Sequence, residues 1–267
     1  MNLLYCLRRA KEFHGTSIGS YRDEGSMTWN EFYDRVHRAA AFFRDLGIQK
    51  GDRLAVWMLN SHEYLELYYA SAIAGIVIVP LNTRWHESDV AFTLNDSGSV
   101  AIVVDDRFAP DVAKIPRPRH VIYAGRCPCP EGMTAYGYSD AKHTFEEPDP
   151  EDLVGLFYTS GTTGGPKGVM LTHRNLWSNL VNSMMAGFGK ATWLHAAPMF
   201  HLADLGSMYA ITSNGGAHVF LPTYDPEKFM QLVERYKVTE TVLVPTMLNM
   251  LVNHERFDAY DLSSLET

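Results

Sequence analysis

Short apolar runs that stop at turns, each followed by a stretch with helical spacing, restrict this chain more than any other feature. Arg53–Leu59 reads Arg-Leu-Ala-Val-Trp-Met-Leu, Ile76–Pro80 reads Ile-Val-Ile-Val-Pro, and Ala101–Val104 reads Ala-Ile-Val-Val. Val121–Tyr123 is a shorter run of the same kind. Runs without polar alternation suit parallel strands, which are covered on both faces. Between the first two lies His62–Ala74, opened by Ser61 and closed by Gly75, with the length and limits of a helix. Residues 86–96 form the next helix, with His86 or Ser88 as its cap, and residues 107–114 a weaker one. Strand, helix, strand at this spacing is a βαβ unit with a right-handed crossover. The chain up to Tyr123 therefore predicts a doubly wound α/β subdomain.

Upstream, residues 1–27 read as a short amphipathic helix followed by a hairpin-like segment. Thr28 with Glu31 three residues on is a capping box. Phe32, Val36, Ala39, Ala40 and Phe43 then repeat at helical spacing until Gly47. The apolar residues at the N-terminus precede Arg8 and Arg9, the reverse of a secretory signal, and no apolar stretch approaches the ~18 residues of a membrane span. A cytoplasmic location is expected. Formal net charge is −8, which argues against a broad nucleic-acid or anionic-membrane footprint. Cys6, Cys127 and Cys129 are the cysteines; the Cys127–Cys129 pair lacks a second pair to complete a tetrahedral metal site, and a reducing compartment fits. Residues 124–150 are rich in Gly, Pro and charge, and Glu146, Glu147, Asp149, Glu151 and Asp152 crowd their end. This predicts a solvated, mobile connector. It divides the chain into 1–150, a first α/β subdomain with its connector, and 151–267.

The second part opens on Leu153-Val154-Gly155-Leu156-Phe157-Tyr158, which runs into Thr159-Ser160-Gly161-Thr162-Thr163-Gly164-Gly165-Pro166-Lys167-Gly168-Val169. An apolar run stopping at such a segment reads as a buried strand feeding a tight polar loop. Glycines let backbone N–H groups approach a ligand, hydroxyls add donors, and Lys167 adds a positive charge with no acid in the loop to oppose it. This is a phosphate-binding design. It is not a Walker A loop, because Pro166 precedes the lysine and Gly168, not a hydroxyl residue, follows it. Thr172 sits where the cap of a helix from His173 to about Met185 belongs, and such a helix would add its dipole near the phosphates.

Further on, Trp193–Pro198, Ala217–Leu221 and Thr241–Pro245 read as strands, and 201–213, Pro226–Tyr236 and Thr246 to about Val252 as helices. Pro198-Met199-Phe200-His201 falls just past a strand end, where ligand sites of parallel sheets lie; a structural histidine fits that position equally well. Val244-Pro245-Thr246-Met247 suits either a pocket border or a proline-initiated core helix. Asn82 and Arg84 read as clamps on the loop after Pro80, and Leu205, Met208 and Tyr209 as helix-face residues of the core or the pocket.

The stretch from Tyr158 to Val169 resembles the phosphate-binding signature of the adenylate-forming superfamily, which includes acyl-CoA synthetases, luciferases and the adenylation domains of peptide synthetases. Residues 75–85, Thr172–Asn175, the Phe200-His201 pair and Val244–Met247 are similar to further blocks of that family, and the text around Pro198–His201 looks most like fatty or medium-chain acyl-CoA ligases. The resemblance implies an α/β fold, βαβ-built, with mostly parallel sheets, helices on both faces and two stacked subdomains. It implies that Thr159, Ser160, Gly161, Thr162, Thr163, Gly164 and Lys167 hold phosphates, and that Phe200, His201, Thr246 and Met247 line an acyl and carboxylate pocket. ATP, magnesium and coenzyme A are the implied cofactors and substrates, with a small carboxylic acid, and magnesium bound through phosphate oxygens rather than protein ligands. The implied reaction is attack of the acid on the α-phosphate of ATP, then transfer of the acyl group to a thiol.

The resemblance covers essentially the whole chain but corresponds to the N-terminal part of such enzymes. The adenine-binding block, the magnesium-binding glutamate, the ribose-binding aspartate and the mobile domain with the catalytic lysine lie beyond the position of Thr267 in relatives. No catalytic residue is therefore expected within these residues, and an open sheet edge predicts self-association. The alternatives are a fragment that only binds nucleotide, acyl group or a partner, and a ligase that passes its acyl group to a carrier protein.

Overall fold

The apolar runs become neighbouring strands of one sheet. The computed structural model describes residues 1–22, 25–159, 166–185 and 190–266. In chain order the elements begin α1 (Leu4–His14), β1 (Ile18–Tyr21), β2 (Ser26–Thr28), α2 (Trp29–Asp45), β3 (Arg53–Trp57), α3 (His62–Ala74) and β4 (Val77–Pro80). Then come α4 (Glu87–Ser97), β5 (Ala101–Val104), β6 (His120–Tyr123), β7 (Thr134–Ala135), β8 (Leu153–Thr159), β9 (Lys167–Thr172) and α5 (His173–Met185). The remainder is β10 (Thr192–His195), α6 (Leu202–Ser213), β11 (Ala217–Phe220), α7 (Pro226–Tyr236), β12 (Glu240–Thr241) and α8 (Pro245–Val252). The chain divides into two compact units, residues 1–4, 34–59 and 63–177, and residues 5–33, 60–62 and 178–267.

The first unit is built on a seven-stranded sheet in the order β7-β6-β5-β3-β4-β8-β9. Every pairing is parallel except β8 with β9. β4 and β5 flank β3 on opposite sides, so the winding reverses there, as a doubly wound sheet requires. Trp57 stacks on Phe108 at 4.6 Å between centroids amid Val79, Leu94, Ile102, Val104 and Val121. Each such buried side chain stabilises the fold by about 1.5–3 kcal/mol. Helix limits follow their caps. His86 Nδ1 accepts the Ser88 N–H ahead of α4, and Gly98 closes it at φ 60° with its N–H donated to Asn95 O. Asn82 Oδ1 accepts the Arg84 N–H at 2.9 Å, the expected clamp after β4.

The segment 124–150, expected as a connector, is tethered to the first unit at several points. Within it, Thr134–Ala135 pairs with β6 at the sheet edge. Tyr138 and Tyr136 donate their hydroxyls to Glu66 at 2.8 and 3.3 Å, and Arg35 Nε donates to the other Glu66 oxygen at 2.5 Å while its guanidinium lies over the Tyr138 ring. Glu66 is fully buried. Burial pushes its carboxyl up in pKa, and Arg35 and the two hydroxyls pull it back. Farther along, Asn2 Nδ2 donates to Glu147 and to Pro148 O, and Lys50 pairs with Asp152 at 3.0 Å and Glu146 at 3.6 Å. The acidic crowd is thus tied down by cations and amides from elsewhere in the unit.

The second unit carries a five-stranded sheet in the order β12-β10-β11-β1-β2. β10, β11 and β12 run parallel, and the hairpin β1–β2 joins through a parallel pairing of β1 with β11. Leu194, Val219, Leu221, Phe229, Met230 and Val233 form its core. The expected strand 241–245 is shorter, because Pro245 opens α8 and Val244 takes the extended cap position. Among the described residues no helix is long and apolar enough to cross a membrane.

Candidate functional site

In the first unit β8 enters the glycine- and threonine-rich segment and β9 leaves it. The two strands are antiparallel, with Thr159 opposite Lys167 and Tyr158 opposite Gly168. The hairpin therefore sets the threonine hydroxyl and the lysine across from each other at the mouth of the segment, both exposed. Ser160, Gly161, Thr162, Thr163 and Gly164 lie outside the described residues. Below the mouth, Tyr158 donates its hydroxyl to Asp96 at 2.6 Å. A Cβ on Gly168 would sit 2.9 Å from the Tyr158 ring, so glycine is what allows that close approach.

At the far end of β9, Thr172 and Asn175 cap α5 reciprocally. The Thr172 N–H and hydroxyl donate to Asn175 Oδ1 at 2.9 and 3.0 Å, and the Asn175 N–H donates to Thr172 Oγ1 at 3.3 Å. This is the capping role expected of Thr172. His173 beside it is buried, with no hydrogen-bond partner at Nδ1. Burial lowers its pKa to about 4, so it is a neutral interior residue.

In the second unit β10 ends at His195, and the chain turns through Ala196–Phe200 into α6. Asn60 holds this turn: its Nδ2 donates to His195 O and Ala197 O at 3.0 and 2.8 Å, and its Oδ1 accepts the Met199 N–H at 2.8 Å. His201 N–H donates to Pro198 O at 3.0 Å. Phe200 is half-buried and His201 exposed. His201 is the cap of α6, its Nδ1 accepting the Ala203 N–H at 3.2 Å. A backbone N–H can only donate, so in this geometry the ring proton resides on Nε2. His201 thereby presents Nε2 as a hydrogen-bond donor.

Thr246 and Met247 turn opposite ways at the start of α8. Thr246 is exposed, whereas Met247 packs into the core with Phe229 and Leu251, and its carbonyl accepts the Tyr224 hydroxyl at 2.8 Å. Leu205, Met208 and Tyr209 are core residues of α6. Cys127 and Cys129 are exposed free thiols, and among the described residues no three potential ligands gather to hold a metal ion. Sequence reasoning missed Asn60 and a buried set of polar side chains behind the turn, His195, Asp204, Thr212 and His218. Their signal was present: polar residues at strand and helix positions where the pattern demands apolar ones.

The model of the AMP-binding enzyme family matches residues 7–267. The chain is 37% identical over 272 residues to a feruloyl-CoA synthase of an Amycolatopsis species, covering 98% of this chain and 52% of that protein. It is 28% identical over 296 residues to a long-chain-fatty-acid–CoA ligase of Bacillus subtilis, covering 94% of this chain and 51% of that protein. Among solved structures, a Mycobacterium tuberculosis fatty acyl CoA synthetase matches with a TM-score of 0.83 at 26% identity, covering 99% of this chain and 53% of that one. The chain spans about half the length of the curated relatives it matches.

Proposed function

The chain belongs to the AMP-binding enzyme family and matches the N-terminal domain of its adenylate-forming acyl-CoA synthetases, and from that membership we propose that it serves the ATP-dependent activation of a hydrophobic carboxylic acid. The acid's carboxylate attacks the α-phosphorus of ATP, the bond to the β-phosphate oxygen breaks, and pyrophosphate leaves. A thiolate, that of coenzyme A, then attacks the acyl carbon and AMP departs, leaving a thioester.

The observation that carries this reading is the Thr159–Lys167 pairing at the mouth of the glycine- and threonine-rich segment. In the reading, Thr159, Ser160, Gly161, Thr162, Thr163, Gly164 and Lys167 hold the β- and γ-phosphates and stabilise the charge that grows on pyrophosphate. Charge-assisted hydrogen bonds of this kind are strong and directional. Magnesium bound with ATP would supply further charge neutralisation at the phosphates that these residues hold. Phe200 and His201 take the acid, with the His201 Nε2–H as donor to its carboxylate. Thr246 lies on the exposed side of α8 as a further wall of that pocket, and Met247 supports it from the core.

Acid-dependent exchange of labelled pyrophosphate into ATP tests the proposal, run with dodecanoate and with ferulate as separate substrates. In a protein that carries these residues together with the C-terminal half its relatives have, exchange with either acid, lost on Lys167→Ala, is the expected result, and the preferred acid assigns the fatty or the aromatic class. ATP binding without exchange for any acid in the panel would favour a nucleotide-binding module instead.

A further inference from the structure

Behind the turn that carries His201 lies a continuous chain of buried polar side chains. Asp204 Oδ2 and His195 Nδ1 are 2.5 Å apart, His195 Nε2 and His218 Nδ1 are 2.9 Å apart, and His218 Nε2 and Thr212 Oγ1 are 3.1 Å apart. Trp193 Nε1 donates to the other Asp204 oxygen at 3.4 Å. Asp204, His195, His218 and Thr212 are each no more than 1% exposed. The rings of His195 and His218 are nearly parallel with centroids 5.2 Å apart, Phe220 stacks on His195, and Trp29 meets His218 edge-on.

The proton positions follow from one end. A carboxylate accepts, so His195 donates from Nδ1, and with its Nε2 as acceptor the bond comes from His218 Nδ1–H. His218 Nε2 then accepts the Thr212 hydroxyl. Burial, and next the neighbouring His195, hold the pKa of His218 well below the ordinary imidazole value, consistent with a neutral ring. Every donor in the chain thus points toward Asp204. That carboxylate also sits in the first turn of the twelve-residue α6, where the N-terminal end of the helix favours negative charge.

Replacing a buried ion pair by apolar side chains of similar size is often neutral for stability. What the chain supplies is fixed geometry. It ties the end of β10 to β11 and to both ends of α6, bracketing the turn Ala196–His201. Asn60 grips the same turn through three backbone groups. We propose that Asp204 and His195, backed by His218 and Thr212, are positioning residues that set the N-terminus of α6 and so aim the His201 Nε2–H at the carboxylate of the acid. This inference rests on the reading that His201 binds that carboxylate.

The test is 15N-histidine NMR of the whole chain, titrated with dodecanoate and with ferulate. The variants are Asp204→Asn, Thr212→Val with Thr212→Ser as its conservative rescue, and His201→Asn as reference. The expected result is Nδ1-protonated His195 and His218, Nε2-protonated His201, and an acid-induced shift of His201 Nε2. Asp204→Asn should weaken acid binding about tenfold or more, as small misplacements of a binding group do. Thr212→Val should weaken it less, and Thr212→Ser should restore it. If Asp204→Asn does not fold, the Thr212 pair decides alone. A purely structural role would lower thermal stability in both variants while leaving acid affinity and the His201 signal unchanged, and that would overturn the inference. If His201→Asn leaves acid binding intact, or wild-type His201 responds to neither acid, the carboxylate reading itself falls and the inference with it.

Discussion

His201 Nδ1 accepts the Ala203 N–H at 3.2 Å, so one ring nitrogen is committed to the start of α6 and the other carries the proton. The two jobs can be separated. Asparagine caps helices as well as any residue but offers no donor at the place of Nε2. His201→Asn should therefore stay within about 0.5 kcal/mol of wild type in urea unfolding while acid affinity drops about tenfold. His201→Ala should lose both properties.

Lys167 stands opposite Thr159 where β8 and β9 meet the glycine- and threonine-rich segment, and is exposed. A charged hydrogen bond to phosphate contributes about 1.5–3 kcal/mol, so Lys167→Met should weaken ATP binding roughly 10- to 100-fold. The fold should be unaffected. Equilibrium dialysis with labelled ATP at low and high salt measures it, and the wild-type protein should show the steeper salt dependence.

Glu66 holds Arg35 and two tyrosine hydroxyls in the interior of the first unit. Removing the acid leaves the half-buried Arg35 without its counter-charge. Glu66→Ala should cost about 3–5 kcal/mol, read by chemical denaturation. Amide exchange should also quicken between Thr134 and Ser139, because Tyr136 and Tyr138 lose their anchor.

His173 links stability to pH. Its pKa is about 4 in the folded chain, lowered chiefly by burial against the opposing pull of Asp152 and Glu147, and about 6.5 when unfolded. The unfolded chain binds the proton first as pH falls. The contribution is thus fully present above about pH 6.5 and is lost progressively down to about pH 4, with a ceiling of about 3 kcal/mol. Denaturant unfolding of wild type and His173→Phe across pH 4–7 should show a shallower slope in the variant, whatever packing offset the larger ring adds. Equal slopes would contradict the assignment.

What could be read from the sequence was what is local. Ala101–Val104 is a strand because nothing in it tolerates water, and Thr28 with Glu31 forms its capping box because both members lie within one turn. The hairpin-like segment after α1 is also there, but its partner is not a local matter: β1 pairs with β11, nearly two hundred residues on. Glu66 and Arg35 could not be matched from text, since an acid in a helix normally faces solvent and its counter-charge comes from another helix. The same holds at the candidate pocket. His201 stands out as a motif residue, whereas His195 and His218 become meaningful only once β10 and β11 are adjacent, with Trp193 in register with His218. The contacts of the acidic stretch 146–152 were illegible for the complementary reason. Its composition predicts mobility, and Lys50 and Asn2 supply the tethers from distant positions.

The parallel pairing of β1 with β11 also sets an order of events on the ribosome. The strands of the first sheet have all been made once Thr172 has been made. The hairpin β1–β2, synthesised before any of them, must wait for Ala217–Phe220. At ordinary elongation rates of about 5–20 residues per second that interval is roughly 10–40 s. Throughout it Met27 and Trp29, both buried in the finished protein, lack their final neighbours. The first-made residues of the second unit are thus among the last to find their place, and a nascent chain of this kind is most exposed to mispairing and to chaperone capture around β1 and β2.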